Sequence, residues 1–160
     1  MKRLGVATLK DPFHFLSTGF GLGLAPFAPG TFGTLLGVAL DPLLRLLAFP
    51  ARASAVAGLF LAGVWICEKS AARLGVHDHP AIVWDEVVGY LVVMLAAPAG
   101  WRWALAGFVV FRFFDIVKPW PIRDVDHAVG GGFGIMLDDL LAAGYGALAI
   151  LVLKTLLSEP

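Results

Sequence analysis

A chain of 160 residues that is 59% hydrophobic and only 15% charged, with a mean hydropathy of +0.83, is too apolar for an ordinary soluble domain. It reads as a single domain set in or against a membrane. Twelve acidic residues balance twelve basic ones, so no basic surface directs the chain to nucleic acid, and the single Cys67 excludes both an intrachain disulfide and a cysteine-cluster metal site.

Residues 1–11 carry Lys2, Arg3 and Lys10 but no compact apolar core with a small-residue cleavage site, which argues against a signal peptide. Residues 12–40 contain no Asp, Glu, Lys or Arg. That is long enough for a membrane helix, which needs ~20 apolar residues. However, Gly19, Gly21, Gly23, Pro26, Pro29, Gly30 and Gly33 interrupt it. The expectation is a loop or re-entrant segment that turns helical at about Thr31, with Thr31 as its N-cap. Irregular backbone at membrane depth is tolerated only against protein or a wet cavity, so this loop is expected to pack against a polar site.

Asp41-Pro42 is expected to restart or kink the helix, and Arg45 and Arg52 to flank a short turn around Pro50. Residues 53–67 read as an uncharged helix, short for a full span. Residues 68–80 read as a polar connection with Gly75 and the run His77-Asp78-His79. Residues 81–98 are apolar apart from Asp85 and Glu86. Residues 101–110 are apolar with two tryptophans suited to a membrane interface. Residues 140–157 form a last apolar helix with Lys154 able to reach the interface. Strand-type alternation is scarce and the apolar runs are rich in Leu, Ala and Gly. The expected fold is therefore all-α: a membrane-associated or multi-pass bundle of about four apolar helices, several of them broken. Basic residues at the start and between Arg112 and Arg123 favour the cytoplasmic side.

Residues 111–144 hold five of the twelve acids and three of the twelve basic residues in an otherwise apolar chain, together with the run Gly130-Gly131-Gly132-Phe133-Gly134. Charge in such surroundings marks a site. Asp85-Glu86 opens one apolar helix, with Gly89 close behind permitting tight packing. Asp138-Asp139 is expected to open another. Asp115 lies between Arg112 and Lys118 at spacings that put all three on one helical face. Carboxylates that converge in a poor dielectric need a cation. Oxygen donors without a Cys or His cluster suit magnesium, which usually also holds a substrate phosphate. Arg112 and Lys118 are placed to neutralise that phosphate. The N–H groups of the glycine run, including Gly131, Gly132 and Gly134, are placed to cradle it at a helix N-terminus.

Blander readings exist for each feature. A lone Asp at a helix start is often a cap, the glycine run is a turn in about one case in three, and Lys118-Pro119-Trp120-Pro121 reads equally as a helix stop with an interfacial anchor. Two adjacent acidic pairs in apolar helices are harder to explain as caps. Cys67 and Arg73 have the spacing of a cysteine phosphatase loop, but no glycine lies between them. Asp124 and Asp126 have a haloacid-dehalogenase spacing without a preceding strand. GFGLG at 19–23 lacks a βαβ context, and His77 and His79 read as solvated in a polar turn.

Four blocks taken together resemble the phosphatidylglycerophosphatase A family. They are GLGLAPFAPGTFGTL at 21–35, WDEVVGY at 84–90, FRFFDIVKPWPI at 111–122 and GGFGIMLDDLLAAGYGAL at 131–148. The resemblance implies an all-helical, magnesium-dependent lipid phosphatase of the bacterial inner membrane. Its substrate is a phospholipid, phosphatidylglycerophosphate, whose terminal phosphomonoester is hydrolysed. The family's acidic motif residues match Asp85, Glu86, Asp115, Asp138 and Asp139. On this reading Asp85, Glu86, Asp138 and Asp139 hold Mg2+, and Asp115 completes the site or acts as general base. Asp139 is the second catalytic candidate, an aspartyl-phosphate route being the alternative to direct water attack. Lys118 and Arg112 bind phosphate, and the 26–34 loop closes over the headgroup with Thr31 as its hydroxyl donor. Other classes to weigh are a small transporter using the carboxylates as an ion site, a structural membrane subunit, and a soluble helical phosphatase acting on another ester.

Overall fold

The computed structural model describes residues 4–76 and 79–157, so Lys2, Arg3, His77 and Asp78 lie outside the described residues. Among the described residues seven α-helices follow in chain order: α1 (Pro12–Ser17), α2 (Pro29–Leu44), α3 (Phe49–Leu74), α4 (Trp84–Ala96), α5 (Trp101–Val117), α6 (Ile122–Ala128) and α7 (Gly131–Leu157). Short 3-10 turns occupy Val6–Lys10 and Leu22–Leu24. No strand forms among the described residues, as the all-α expectation required.

The bundle is built around α4. This helix is apolar on all sides, and nine of its thirteen residues are buried, as a central helix requires. α2, α3, α5 and α7 all pack on it. Val87, Tyr90, Leu91 and Met94 meet Phe111 of α5 and Ile150 of α7 in one part of the core. Trp84 and Val88 meet Cys67 of α3 and Met136 of α7 in the other.

The carbonyl end of α4 is closed by charge from two other helices. Arg52 Nη2 donates to Met94 O at 2.7 Å and to Asp41 Oδ1 at 2.8 Å. Arg45 Nε donates to Asp41 Oδ2 at 2.6 Å, and its Nη2 reaches Ala97 O at 3.2 Å. Cations there offset the negative end of the helix dipole, and Asp41 supplies the partner that a buried guanidinium needs. Sequence patterning gave Arg45 and Arg52 only a turn to flank.

Several boundaries differ from expectation. α2 begins at Pro29, two residues before Thr31, with Ala28 in left-handed conformation as its N-cap. Proline suits a first helical position because the N–H it lacks has no intrahelical partner there. Thr31 is therefore inside the first turn, its N–H bonded to Ala28 O at 2.9 Å, and is not the N-cap. α2 runs through Pro42 to Leu44, and Pro50 is the second residue of α3 rather than the centre of a turn. α3 does not stop at Cys67. It continues through Glu68, Lys69 and Arg73 to a left-handed Gly75, giving 26 residues. Glu, Lys and Arg are good helix formers, so polarity there changes the exposed face and not the secondary structure. α7 starts inside the glycine run, at Gly131, and spans 27 residues. His79 is buried rather than solvated, its Nδ1 accepting from the Ala81 N–H at 3.1 Å.

By length and composition α3 and α7 can each cross a membrane, with windows of mean hydropathy 1.5 and 2.0 of which only 22% is buried. Leu61 and Trp65 on α3 and Leu148 and Val152 on α7 are exposed. Two long apolar helices with their apolar faces outward indicate membrane association.

Candidate active site: an acidic cleft at the start of α4

The first turn of α4 carries Asp85 and Glu86, at the positive end of its dipole. α7 crosses close beside it because Gly89 leaves room. A Cβ at Gly89 would stand 2.5 Å from the Phe111 ring and 3.3 Å from Asp139 O. That approach brings Asp139 to the two α4 acids. One carboxylate oxygen from each of Asp85, Glu86 and Asp139 lies within 4.8 Å of the others. Asp115 of α5 lines the same cleft as Asp139. Arg112, one turn before it, pairs with Asp115 and stands 3.7 Å from Glu86 Oε1.

α5 ends at Val117, and Lys118 takes a left-handed conformation as its C-cap. Lys118 therefore leaves the helical face it was expected to share with Arg112 and Asp115. Its Nζ bonds Asp138 Oδ2 at 2.5 Å and Asp126 Oδ2 at 3.0 Å. Burial pulls its pKa down, but these two carboxylates outweigh that and hold it above the usual lysine value, fully charged.

The groups line one cleft of about 250 Å³, walled on the α2 side by Ala28, Pro29 and Gly30 and on the α5 side by Ile116. The broken segment before α2 thus reaches the polar site, as expected of irregular backbone in an apolar protein. Five carboxylates, of Asp85, Glu86, Asp115, Asp138 and Asp139, face two cations, of Arg112 and Lys118. The excess is negative and partly unmet. Glu86 Oε2 and Asp139 Oδ2 are buried without a hydrogen-bond partner. Burial, then the neighbouring Asp139 charge, push the Glu86 carboxyl up to about 8. The orphaned oxygens of Glu86 and Asp139 beside the Asp85 carboxylate, with no Cys or His among the described residues lining the cleft, fit a hard divalent cation.

The structure places several of the expected site residues apart from the converging trio. Asp138 lies outside the converging trio and is the partner of Lys118. Asp138 and Asp139 do not open a helix, because α7 already begins at Gly131. Gly131, Gly132 and Gly134 do not line the cleft. Gly132 faces α3, where a Cβ would meet Val64 O at 2.0 Å. Gly134 faces the segment between α6 and α7, where a Cβ would meet Val129 O at 2.0 Å. The Gly132 N–H already donates to Glu68 Oε2 at 2.5 Å, and a Cβ on Gly131 would meet that same carboxylate. The run is a packing device with its own anion. Thr31 is likewise absent from the cleft lining, where Gly30 is present instead.

Gly30 and Ile116 line the cleft and Asp126 pairs with Lys118, and sequence reading gave none of the three a site role of its own. Gly30 is the clearest: a Cβ there would stand 2.0 Å from Glu86 Oε1 and 3.0 Å from Arg112 Nη1. Its block, APFAPGTFGTL, was part of the resemblance, but no spacing rule tied Gly30 to Glu86. The rejected motifs stay rejected. Cys67 and Arg73 lie on continuous α3, and Asp124 and Asp126 lie on α6.

Comparison with known proteins identifies the family. The family model for phosphatidylglycerophosphatase A matches residues 15–154. A Haemophilus influenzae protein named phosphatidylglycerophosphatase A is 48% identical over 149 residues, covering 92% of this chain and 91% of that protein. An Escherichia coli K12 protein of the same name is 44% identical over 135 residues, covering 84% and 78%. A Bacteroides thetaiotaomicron protein with the provisional name phosphatidylinositol-3-phosphatase is 41% identical over 147 residues, covering 87% and 91%. No solved structure matches the chain. Matched by the family model over residues 15–154, the chain whose acidic cleft is lined by Asp85, Glu86, Asp115 and Asp139 belongs to the phosphatidylglycerophosphatase A family.

Proposed function

We propose that the chain hydrolyses the terminal phosphomonoester of phosphatidylglycerophosphate, releasing phosphatidylglycerol and phosphate. The observation that carries this reading is the convergence of Asp85, Glu86 and Asp139 with Arg112 and Lys118 in one cleft of a chain from this family. No comparison supports the transporter alternative.

Asp85, Glu86 and Asp139 would hold magnesium, which when bound supplies charge neutralisation to a phosphoryl oxygen and to an attacking water. Arg112 and Lys118 bind the phosphate dianion; both already face the cleft. Asp138 keeps Lys118 pointed inward. Asp115 is the cleft carboxylate that neither belongs to the trio nor is tied to Lys118, so acceptance of the water proton is assigned to it. The leaving alkoxide takes a proton from solvent at the open side. We place the protein in the bacterial inner membrane with the cleft toward the cytoplasm, on the strength of the two apolar helices and of Arg112, Lys118 and Arg123 at the cleft end of α5.

Phosphate release from phosphatidylglycerophosphate in detergent micelles tests the reading. Release with added magnesium that stops with chelator is the expected result. No release by folded protein in either condition overturns it, and preferential release from phosphatidylinositol-3-phosphate reassigns the headgroup.

A further inference from the structure

We propose that the exposed face of α5 beds one acyl chain of the phosphorylated lipid, with Ile116 as the joint between this bed and the cleft. The inference rests on the lipid phosphatase reading above. Leu105, Val109, Phe113 and Ile116 are 55%, 56%, 57% and 69% exposed. Spaced four, four and three residues apart, they form one apolar stripe along the helix. Ile116 is also a wall of the acidic cleft, so stripe and cleft are continuous. The exposed apolar faces of α3 and α7, which include Trp65, Leu148 and Val152, contribute nothing to the cleft lining.

Dimensions agree with an acyl chain as occupant. The 250 Å³ cleft is below the ~300 Å³ at which ligand pockets usually begin, so it takes the phosphorylated headgroup and leaves the tails outside. From Leu105 to Ile116 the helix rises about 16 Å. One leaflet of a bilayer has about 15 Å of hydrocarbon. Exposed Trp120 lies just past the Ile116 end of α5, as an aromatic anchor at the headgroup interface would. Arg112 and Lys118 sit at the Ile116 end, so a phosphate held by them leaves its glyceride carbons at the start of the stripe.

Two measurements test this on the full chain in detergent. Turnover of long-chain phosphatidylglycerophosphate in mixed micelles is compared with turnover of its deacylated, water-soluble counterpart, for the unaltered protein and for Val109→Ser with Phe113→Ser. The ratio of long-chain to deacylated turnover is expected to fall about tenfold, through a raised apparent KM. Equal loss on both substrates, or no loss on either, overturns the bed. If the unaltered protein releases phosphate from neither substrate, the reaction itself is misassigned and the bed falls with it. The second measurement needs no turnover. A phosphatidic acid probe with a diazirine in its tail is expected to label Val109 and Phe113 more than the comparably exposed Leu148 and Val152 of α7. Equal labelling of the two helices overturns the proposal.

Discussion

Gly30→Ala separates site geometry from fold stability. The added Cβ would stand 2.0 Å from Glu86 Oε1, whereas real Cβ atoms essentially never approach closer than 3.0 Å, so the carboxylate must retreat by at least 3.0 − 2.0 = 1.0 Å. Glu86 Oε1 ends a flexible side chain, so the retreat is cheap. Gly30 is helical, without a left-handed φ. Alanine also gains up to ~1 kcal/mol of helix propensity. Net stability should therefore change by less than ~1 kcal/mol. Activity should not survive as well: a misplacement of ~1 Å at a reacting centre costs about a hundredfold in rate. The assay is phosphate release in micelles beside thermal unfolding of the same preparation. Gly144→Ala serves as control, since a Cβ there meets nothing within 4 Å. A Gly30→Ala protein with near-normal turnover would refute the placement of Glu86 in the working site.

Gly132→Ala should behave in the opposite way, because the added Cβ meets backbone that cannot swing aside, Val64 O at 2.0 Å and Glu68 N at 2.5 Å. Overpacking of this kind costs roughly 1–3 kcal/mol, read as a lower unfolding temperature with activity per folded molecule largely kept. Asp41→Ala strips the buried guanidinium of Arg52 and the half-buried one of Arg45 of their carboxylate and should destabilise by ~3 kcal/mol, again away from the cleft. The Glu86 pKa, raised from 4.5 to about 8 by burial and then by Asp139, makes the folded metal-free protein hold its proton more tightly than the unfolded chain does. Its stability should accordingly fall as pH rises from about 4.5 through about 8. Magnesium displaces that proton and should recover the loss. Thermal unfolding with chelator and with magnesium, at about pH 5 and about pH 9, measures both, and a pH-independent unfolding temperature in chelator contradicts the burial of Glu86.

Helical class and the acidic residues were legible because they rest on composition and on charge in apolar segments. Asp85, Glu86, Asp115 and Asp139 stand out in any reading of this chain, and the structure brings them together. What escaped depends on which neighbour a residue meets. Gly30 and Gly132 look alike in sequence, yet one admits a carboxylate and the other a helix backbone. Asp138 and Asp139 are adjacent, and the 100° step between them sends one to Lys118 and the other to the trio. Helix ends failed for a related reason. Residues 68–74 read as a connection, but they continue a helix that ends only at Gly75, with Glu68, Lys69 and Arg73 exposed and Ser70 and Ala71 buried. The Asp41–Arg45–Arg52 cap was invisible because its third party, the carbonyl end of α4, lies more than forty residues away.

The central claim is that Asp85, Glu86 and Asp139 form the working centre of a phosphomonoester hydrolase. Magnesium-dependent phosphate release from phosphatidylglycerophosphate by Asp139→Asn, measured beside the unaltered protein with unfolding temperatures matched, tests it most directly. Loss of release from a protein that unfolds at an unchanged or higher temperature is the predicted result. Near-normal release from the folded variant would contradict the account.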